Sequence, residues 1–472
     1  FNAVRSAHNP LSKFMLEACD KLGLYVMDEA FDMWVIHKNP YDYASSFRRN
    51  WKEDVRLMVE KDFSHPSVIM YSIGNEISEL GLEAGRAIAN DLTGYVHELD
   101  STRPVTAGIN LGLAQMAVMN GKKAMKEGAS APFSGSEKDD DKEAKNTVPT
   151  SAFFNAMMNF LGSAMDKASV RKGAHEIADK MSDILDIPGY NYATSRYRID
   201  AEKRPMQATV GSETLVRSLY DNWALVKELP TLAGDFMWTG YDYLGESGMG
   251  TVRYIDKKTK TDNEPGLIVS GGPGIIDICG KMRPETGWAR LIWGLQDKPV
   301  ISVKPYTHAG EFSTSRMWRQ YDTVESWNWD GCEGRKSDVL VYAAAAKVRL
   351  TVNGKVFGIK KVRKDMALFK NVEYQPGRIA VEALDDNDNV ISNAYLESDS
   401  KEVEIALKAE RKQMSANGQD LCFINIELVG NKHIVKSSCD QKLKVEIEGP
   451  AVLQGYGSAR PVMAENFYSN EH

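Results

Sequence analysis

A strongly apolar run near the start of the chain is the nine-residue stretch Val68-Ile69-Met70-Tyr71-Ser72-Ile73-Gly74-Asn75-Glu76. Its first six residues are apolar apart from Ser72, and a run of this kind is typical of a strand buried on both faces of a parallel sheet. The run ends in a small residue, an amide and a carboxylate. Because the carboxyl ends of the strands form the active face of a parallel barrel, we expect Glu76 to point into a cleft.

The same ending recurs further along the chain, at Thr209-Val210-Gly211-Ser212-Glu213. Only two predicted strands separate the two endings, so a barrel would bring Glu76 and Glu213 face to face. Either glutamate alone is more typical of a helix N-cap or a surface charge. Two carboxylates on one face are what glycoside hydrolysis requires, since one protonates the leaving oxygen and the other attacks the anomeric carbon or activates water.

On both sides of these stretches, short apolar runs alternate with amphipathic helical segments from residue 1 to about 297, which is typical of a βαβ fold. We predict seven strands, at Asn2–Ser6, Leu24–Asp28, Val68–Ile73, Val105–Ile109, Ile184–Tyr190, Met206–Val210 and Leu232–Trp238. The count fits an α/β class (β/α)8 TIM barrel whose first strand and helix are absent from this chain. A doubly wound sheet usually carries a Gly-rich phosphate loop, which we do not find.

The predicted domain boundaries follow changes in the pattern of apolar and polar residues. The catalytic barrel covers residues 1–297 and carries an insertion at about 111–173, where Met- and Ala-rich segments flank the charged run Ser136–Glu143. After residue 298 the period-two alternation and turn signals predict an immunoglobulin-like β-sandwich over 298–400. Its clearest turn is Val352-Asn353-Gly354-Lys355, because Asn-Gly favours a type I′ hairpin. A second, truncated β-sandwich is predicted over 401–472.

The start of the chain predicts that the sequence is a piece of a longer protein. It begins at Phe1 inside a strand-like run, with neither an initiator Met nor a signal peptide, so the compartment cannot be read from it. A barrel without its first strand would have open edges at the strands of Val4 and Phe236. We therefore expect the intact protein to carry further N-terminal sandwich domains, and residues 1–472 alone to be unstable or inactive.

Composition excludes several classes of function. The 472 residues, 43% hydrophobic and 26% charged, are ordinary globular values and too many for a single small module. A net charge of −7 without a basic patch gives no reason to expect a nucleic-acid partner. No apolar run approaches the length of a membrane span, so no membrane partner is predicted. The five scattered cysteines predict neither a disulfide scaffold nor a zinc site.

A set of motifs, taken together in order and spacing, resembles glycoside hydrolase family 2, which contains β-galactosidases, β-glucuronidases and β-mannosidases. The motifs are Asn2-Ala3-Val4-Arg5-Ser6-Ala7-His8-Asn9-Pro10, Met27-Asp28-Glu29-Ala30, His65-Pro66-Ser67-Val68, Ser72-Ile73-Gly74-Asn75-Glu76, Gly211-Ser212-Glu213 and Gly234-Asp235-Phe236-Met237-Trp238-Thr239-Gly240. The resemblance covers residues 1–297, and the following sandwiches also look like those of bacterial members.

The family retains the anomeric configuration, so the resemblance implies that Glu76 is the acid/base and Glu213 the nucleophile. It also implies that Asn75 binds the sugar 2-hydroxyl and that Tyr192 hydrogen-bonds the nucleophile. A packed core aromatic is the alternative for Tyr192, and a structural amide the alternative for Asn75.

Three further residues match the family's substrate-binding positions. Arg5 and His8 match the cluster beneath the sugar, and Arg5 would favour an ionised Glu213 by proximity, which leaves Glu76 to keep its proton. Trp238 matches the aromatic platform of the cleaved sugar's subsite, where its ring would face the C–H groups of the sugar. Asp28 and Glu29 match a strand end whose carboxylate supports the Arg/His cluster. A structural histidine and a core tryptophan are the alternatives.

The sequence also departs from the family pattern. Some β-galactosidases bind magnesium through acidic and His residues just after the Asp-Glu-Ala motif, but here the run is Phe31-Asp32-Met33-Trp34-Val35, so no metal and no cofactor is predicted. The Asn-x-Lys motif that reads the carboxylate of a glucuronide is absent from Gly271–Asp277. Lys281 and Arg283 follow within ten residues and are the remaining candidate cations.

The expected function is a retaining exo-β-glycosidase that hydrolyses terminal β-D-galactosides of an oligosaccharide or glycoside substrate by double displacement. A β-glucuronidase or another family 2 specificity is the alternative within the class. A non-catalytic carbohydrate-binding barrel is the alternative from a different class, and it would be favoured if either glutamate were missing. The sequence leaves open whether copies of the chain form a homo-oligomer.

Overall fold

The computed structural model describes residues 1–126, 164–245, 248–255, 267–313, 317–319, 321–463 and 466–471. These residues form two compact units, Phe1–Trp238 and Thr239–His472. Much of the predicted insertion, including its charged run, lies outside the described residues. The domain boundaries drawn from the sequence stay a prediction.

The first unit is built on a parallel sheet with the strand order β1-β2-β3-β4-β5-β6-β7 in the described residues. The strands are β1 Ala3–Arg5, β2 Tyr25–Glu29, β3 Val68–Asn75, β4 Val105–Ile109, β5 Gly189–Asn191, β6 Thr209–Leu215 and β7 Leu232–Trp238. The sheet is curved, so that its first and last strands lie close together. Arg5 of β1 bonds to Glu213 of β6, and the ring of His8, three residues after β1, stacks on Trp238 of β7. This nearly closed parallel barrel confirms the predicted fold class.

Helices alternate with these strands along the chain. The helices of the first unit are α1 Lys13–Leu22, α2 Ala44–Asp62, α3 Glu83–Leu99, α4 Leu111–Lys126, α5 Ala164–Ala168, α6 Lys172–Ser182, α7 Tyr197–Lys203 and α8 Leu219–Glu228, with 3₁₀ turns at Ser78–Gly81, Thr194–Arg196 and Val216–Ser218. Their apolar faces pack on the strands in one core that includes Val26, Tyr71, Ile73, Leu92 and Val96. Each large buried side chain of this kind contributes about 1.5–3 kcal/mol to folding.

Local signals explain where individual helices begin and end. At α1 the Ser12 hydroxyl accepts a hydrogen bond from the Met15 amide, and Gly23 ends the helix in the left-handed conformation with φ of 68°. Ser and Gly are residue types that commonly begin and end a helix, so both signals are readable in the sequence.

Two predicted strands are displaced in the structure. The fifth is predicted at Ile184–Tyr190, but the amides of Ile184 and Leu185 both donate to the Met181 carbonyl, so this apolar run closes α6 before β5 begins. The sixth is predicted to end at Val210, yet β6 continues to Leu215. It continues because β7 keeps pairing with it, and Leu215 lies opposite Trp238. Glu213 therefore lies inside a strand.

In its described residues, the second unit contains the α-helix α9 Pro284–Ile292 and several antiparallel sheets. One sheet has the order β10-β12-β15, and another has the order β14-β13-β16-β17. Both contribute to one apolar core, with Val341 from the first sheet and Leu350 and Val381 from the second. The strands are β10 Val300–Val303, β12 Lys336–Tyr342, β13 Lys347–Val352, β14 Lys355–Lys361, β15 Met366–Glu373, β16 Arg378–Leu384 and β17 Val390–Glu397. Two antiparallel sheets around one core form the β-sandwich that the sequence predicts.

The predicted hairpin turn is present between β13 and β14. Val352 pairs with Lys355, and the residues between them, Asn353 and Gly354, have φ of 48° and 77°. Positive φ at both central positions is the geometry of a type I′ turn. The Asn-Gly pair thus explains this turn by itself.

Shorter elements complete the second unit. The remaining strands are β8 Tyr254–Ile255, β9 Leu267–Ile268, β11 Phe312–Ser313, β18 Glu404–Ala409, β19 Ile424–Val429 and β20 Val462–Met463, with a 3₁₀ turn at Tyr306–His308. Beyond residue 403, β18 and β19 pair with each other and β20 pairs with β9. Searching the described part of the chain finds no helix with the length and apolar character needed to span a membrane.

Candidate active site

The residues singled out in the sequence meet at one end of the parallel sheet of the first unit. The structure places the two glutamates and the predicted sugar-binding residues within three residues of the carboxyl ends of the strands. They are Arg5, His8, Asn75, Glu76, Tyr192, Glu213 and Trp238. In a parallel barrel this is the end that carries the reactive groups.

Glu213 is buried and accepts three side-chain hydrogen bonds. Arg5 Nη1 lies 3.0 Å from Oε2, and Asn191 Nδ2 lies 3.3 Å from the same oxygen. The Tyr192 hydroxyl donates to Oε1. All three partners are donors and one carries a full charge, so the carboxylate is held in a single orientation with a counter-ion beside it.

Tyr192 reaches Glu213 through an uncommon backbone conformation. Its φ is 55°, in the left-handed region that costs a bulky residue about 1–3 kcal/mol. Its own amide donates to the Glu213 carbonyl at 2.8 Å, which ties the end of β5 to β6. The backbone bond and the hydroxyl bond together place the Tyr192 side chain against the Glu213 carboxylate.

Glu76 lies at the end of β3 in a different environment. It also has a positive φ, 46°, and its amide donates to the Gly108 carbonyl at 2.7 Å. Asn110 Nδ2 donates to Oε1 at 2.7 Å. Burial in the site, reinforced by the negative charge of Glu213, raises the pKa of Glu76 above its usual value. This carboxyl group is therefore the one that keeps a proton more readily.

Arg5 and His8 are held by a third carboxylate, Glu29 of β2. Arg5 Nη2 lies 2.8 Å from Glu29 Oε2, and His8 Nδ1 lies 2.7 Å from Glu29 Oε1. Burial opposes the charge of Glu29, but the adjacent Arg5 and His8 outweigh it and hold the pKa of Glu29 below its usual value. Burial also opposes the charge of Arg5, and the two carboxylates outweigh it and raise the pKa of Arg5. Glu29 thus supports the cluster.

Asn75 lies at the centre of a connected polar network. Its Oδ1 accepts from Arg5 Nη2 and from Asn191 Nδ2, both at 2.9 Å. Its Nδ2 donates to Asp32 Oδ1 at 3.0 Å and lies 3.3 Å from His8 Nε2. The amide therefore links the surroundings of both glutamates.

Trp238 provides an aromatic surface next to this network. Its ring stacks on His8 with a centroid separation of 5.2 Å and an interplanar angle of 1°. Because Glu29 fixes His8, the indole is held in place from the same cluster that holds Arg5. A fixed indole face is suited to packing against the C–H groups of a sugar.

Four residues of the network escaped the sequence analysis as site residues: Asp32, Lys38, Asn110 and Asn191. Asn110 and Asn191 directly follow predicted strands, and Asn75 lies two residues after one. This shared position is a signal that could have identified them. Asp32 and Lys38 lie in the irregular segment after β2, where no periodicity marks them. Burial alone would raise the pKa of Asp32, but Lys38 and His8 outweigh it and lower this pKa.

Asp242 of the second unit is bonded to its own loop. Asp242 Oδ1 accepts from the Gly272 amide at 2.9 Å, and Arg283 Nη2 lies 3.2 Å from Oδ2. Arg283 Nη1 also donates to the Gly272 and Gly274 carbonyls at 2.8 and 2.6 Å. Asp242 therefore organises its own loop. Glu246 lies outside the described residues.

A parallel barrel that presents two glutamates in contrasting environments at the carboxyl ends of its strands has the architecture of the barrel glycoside hydrolases. Comparison with known families agrees. Residues 1–176 match the model described as glycosyl hydrolases family 2, TIM barrel domain, and residues 405–472 match glycoside hydrolase family 2 C-terminal domain 5. Residues 334–392 match a domain of unknown function. The chain belongs to glycoside hydrolase family 2.

Individual relatives extend the likeness over the whole chain. A family 2 member from Bacteroides cellulosilyticus, known from a crystal structure, aligns over 100% of this chain and 53% of its own, with a TM-score of 0.77 and 31% identity. A β-galactosidase of Bacteroides ovatus is 25% identical over 99% of this chain. A putative β-glucuronidase of Formosa agariphila is 26% identical over 80% of it. The chain spans 52% and 32% of the length of these two curated relatives.

Among the residues that the structure describes, no group of three or more His, Cys, Asp or Glu side chains is arranged to hold a metal ion.

Proposed function

We propose that this protein is a retaining exo-β-glycosidase in which Glu213 is the nucleophile and Glu76 the acid/base. The observation that carries this proposal is the contrast between the two carboxyl groups. Glu213 accepts bonds from Arg5, Tyr192 and Asn191, whereas burial and the charge of Glu213 raise the pKa of Glu76. Two carboxyl groups whose environments differ in this way can divide the roles of nucleophile and acid between them.

The proposed reaction has two steps. In the first, Glu213 attacks the anomeric carbon while Glu76 gives its proton to the departing glycosidic oxygen, which leaves a glycosyl ester on Glu213. In the second, Glu76 takes a proton from water, and the water oxygen displaces Glu213 from the sugar. Arg5 and Tyr192 hold the Glu213 carboxylate in position for attack, and they remain beside it when it leaves.

Double displacement predicts the stereochemistry of the product. A retaining pair has its carboxyl groups about 5–5.5 Å apart, whereas an inverting pair needs roughly 6.5–9.5 Å to admit water. Proton NMR of the first-formed product from a β-glycoside is expected to show the β-anomer before mutarotation. An α-anomer as first product would contradict the proposal.

For the sugar we propose a terminal β-D-galactoside. A glucuronide would place a carboxylate in the site, and a buried charge without a cation costs several kcal/mol. Three candidate cations among the described residues each pair with a carboxylate. Arg283 is bound to Asp242, Lys281 pairs with Glu427 at 3.2 Å, and Lys38 pairs with Asp32 at 2.6 Å. The relative that covers almost all of this chain is named a β-galactosidase, which points the same way.

Nitrophenyl glycosides test this choice of sugar. On the full-length protein, we expect kcat/KM for the β-galactoside to exceed that for the β-glucuronide at least tenfold, which corresponds to about 1.4 kcal/mol of transition-state binding. Both substrates should be measured on one preparation, with the β-mannoside and β-glucoside as further members of the panel. A preference for the glucuronide would contradict the proposed sugar.

The hydroxyl of Tyr192 provides a test of the site geometry. Changing Tyr192→Phe removes a hydrogen bond to a charged group worth about 1.5–3 kcal/mol, so kcat is expected to fall roughly 10- to 100-fold. Tyr190→Phe is the matched control, because Tyr190 lies on β5 two residues before Tyr192, and burial together with the charge of Asp200 raises its pKa. Equal losses in the two variants would assign the effect to packing rather than to Glu213.

A further inference from the structure

Lys38 brings a positive charge to the side of the site that holds Glu76. Its Nζ lies 2.6 Å from Asp32 Oδ1 and 2.9 Å from the main-chain oxygen of Asn75, the residue directly before Glu76. The Lys38 side chain is only 21% exposed. An ammonium group bonded to a backbone carbonyl next to a proposed acid/base is in a position to influence that residue.

The segment that carries Lys38 is held rigidly although it is irregular. At its start, the amides of Val35 and Ile36 donate to Glu79 Oε1 at 3.0 and 2.8 Å. At its end, the amides of Lys38 and Asn39 donate to Asp42 Oδ2 at 2.7 and 2.9 Å. Because the backbone of this segment is fixed, the Lys38 ammonium needs little reorganisation to act on Glu76.

Asp42 fastens this segment to the helix that follows. Its other oxygen, Oδ1, accepts from the Ala44 amide at 3.0 Å and lies 2.7 Å from His37 Nδ1. Four groups on four residues therefore meet one carboxylate. This carboxylate therefore ties the segment to the start of α2.

The charges that face Glu76 come from several elements. Glu213 faces it from β6, Lys38 from the segment after β2, and the neutral amides Asn110 and Asn191 from the ends of β4 and β5. Burial and Glu213 raise the pKa of Glu76, and Lys38 acts in the opposite direction. Asp32 and Arg5 both bond to the side chain of Asn75, the residue directly before Glu76, and they add one negative and one positive charge to its surroundings.

The charge of Arg5 is placed differently from that of Lys38. Arg5 forms ion pairs with Glu29 at 2.8 Å and with Glu213 at 3.0 Å, so two carboxylates share its charge. Lys38 is bound to one carboxylate and one neutral carbonyl oxygen. This arrangement leaves Lys38 as the cation that balances Glu213 at the Glu76 side of the site.

Building on the proposed function, we propose that Lys38 is a positioning residue whose fixed ammonium limits how tightly Glu76 holds its proton, so that the same carboxyl group can serve as acid and then as base. Glu76 must act as a base in the second step of the proposed reaction. Once Glu213 has become an uncharged ester, its repulsion of a negative Glu76 is gone, while the attraction of Lys38 persists. Glu76 then ionises and can accept the proton of water.

The test separates the charge of Lys38 from its hydrogen bond to Asn75. Lys38→Gln keeps a donor but removes the charge, so the basic limb of kcat/KM is expected to move upward by about one pH unit, because Glu76 stays protonated to higher pH. Lys38→Arg keeps the charge, and its basic limb should remain at the wild-type pH. The surface variant Lys21→Gln controls for the change in net charge.

The profiles are measured with a nitrophenyl β-galactoside on the full-length protein. A lower kcat with an unmoved basic limb in Lys38→Gln would assign Lys38 a purely structural role and overturn the inference. Lys38→Met serves as a second uncharged variant if thermal melting shows that Lys38→Gln does not fold. If the wild-type protein cleaves no member of the glycoside panel, the proposed function itself fails, and that result is seen before any variant is compared.

Discussion

Changing Glu213→Gln is expected to lower kcat by at least about 10⁴-fold, because an amide cannot form the glycosyl ester on which the two-step reaction depends. The substitution is nearly isosteric, and Arg5, Tyr192 and Asn191 remain in place around it. Substrate binding should therefore change far less than kcat. Steady-state kinetics with a nitrophenyl β-galactoside on the full-length protein measure both quantities.

Chemical trapping checks the same assignment independently. A 2-fluoro-β-glycoside inactivator is expected to label Glu213 covalently, and mass spectrometry of the digested protein would locate the modified peptide. Glu228→Gln is a suitable control, because Glu228 lies on the surface in an ion pair with Arg198 and should not alter either measurement. Labelling of any residue other than Glu213 would overturn its role as nucleophile.

Changing Glu76→Ala is expected to cost about 10²- to 10⁴-fold in kcat/KM for substrates with poor leaving groups, the usual contribution of a general acid. Substrates with a very acidic leaving group, such as dinitrophenol, need little protonation and should lose much less in the first step. The pH profile gives a second readout. Because burial raises the pKa of Glu76, wild-type activity should fall at high pH as this acid loses its proton, and the variant should lack that basic limb.

External azide distinguishes the role of Glu76 from a structural one. Azide can enter the space left by Glu76→Ala and attack the glycosyl ester without base catalysis, so it should restore turnover and give a β-glycosyl azide. The corresponding Glu213→Ala variant should instead give an α-glycosyl azide, because azide replaces the nucleophile directly. The same azide product from both variants would contradict the assignment of two different roles.

The alternation of strands and helices in the first unit was predictable because each element buries its own apolar pattern. The runs at Val68–Ile73 and Leu232–Trp238 are long enough to be recognised without reference to their neighbours. The bounds of β5 and β6 were not predictable in the same way. Ile184 and Leu185 complete a helix end, and β6 continues past Val210 because β7 offers it further backbone partners.

The candidate site shows the same division. Glu76 and Glu213 follow recognisable strand patterns, so their approach could be predicted from topology. Asp32 and Lys38 lie in a segment without regular structure, and they join the site because Glu79 and Asp42 accept bonds from its backbone. Contacts of this kind connect residues far apart along the chain, and no local pattern encodes them.

The parallel barrel, the sandwich that follows it and the two glutamates could be predicted from the sequence, because apolar periodicity and strand endings are local properties. The difference between the two glutamates could not be predicted in this way. Their environments depend on which donors, charges and buried surfaces converge on each carboxyl group from separate strands. Glu213 accepts hydrogen bonds from Arg5 of β1 and from Tyr192, directly after β5. Glu76 accepts one from Asn110 and is influenced by the charge of Lys38. Electrostatic interactions act through space, so the environment of each carboxyl group depends on the folded barrel.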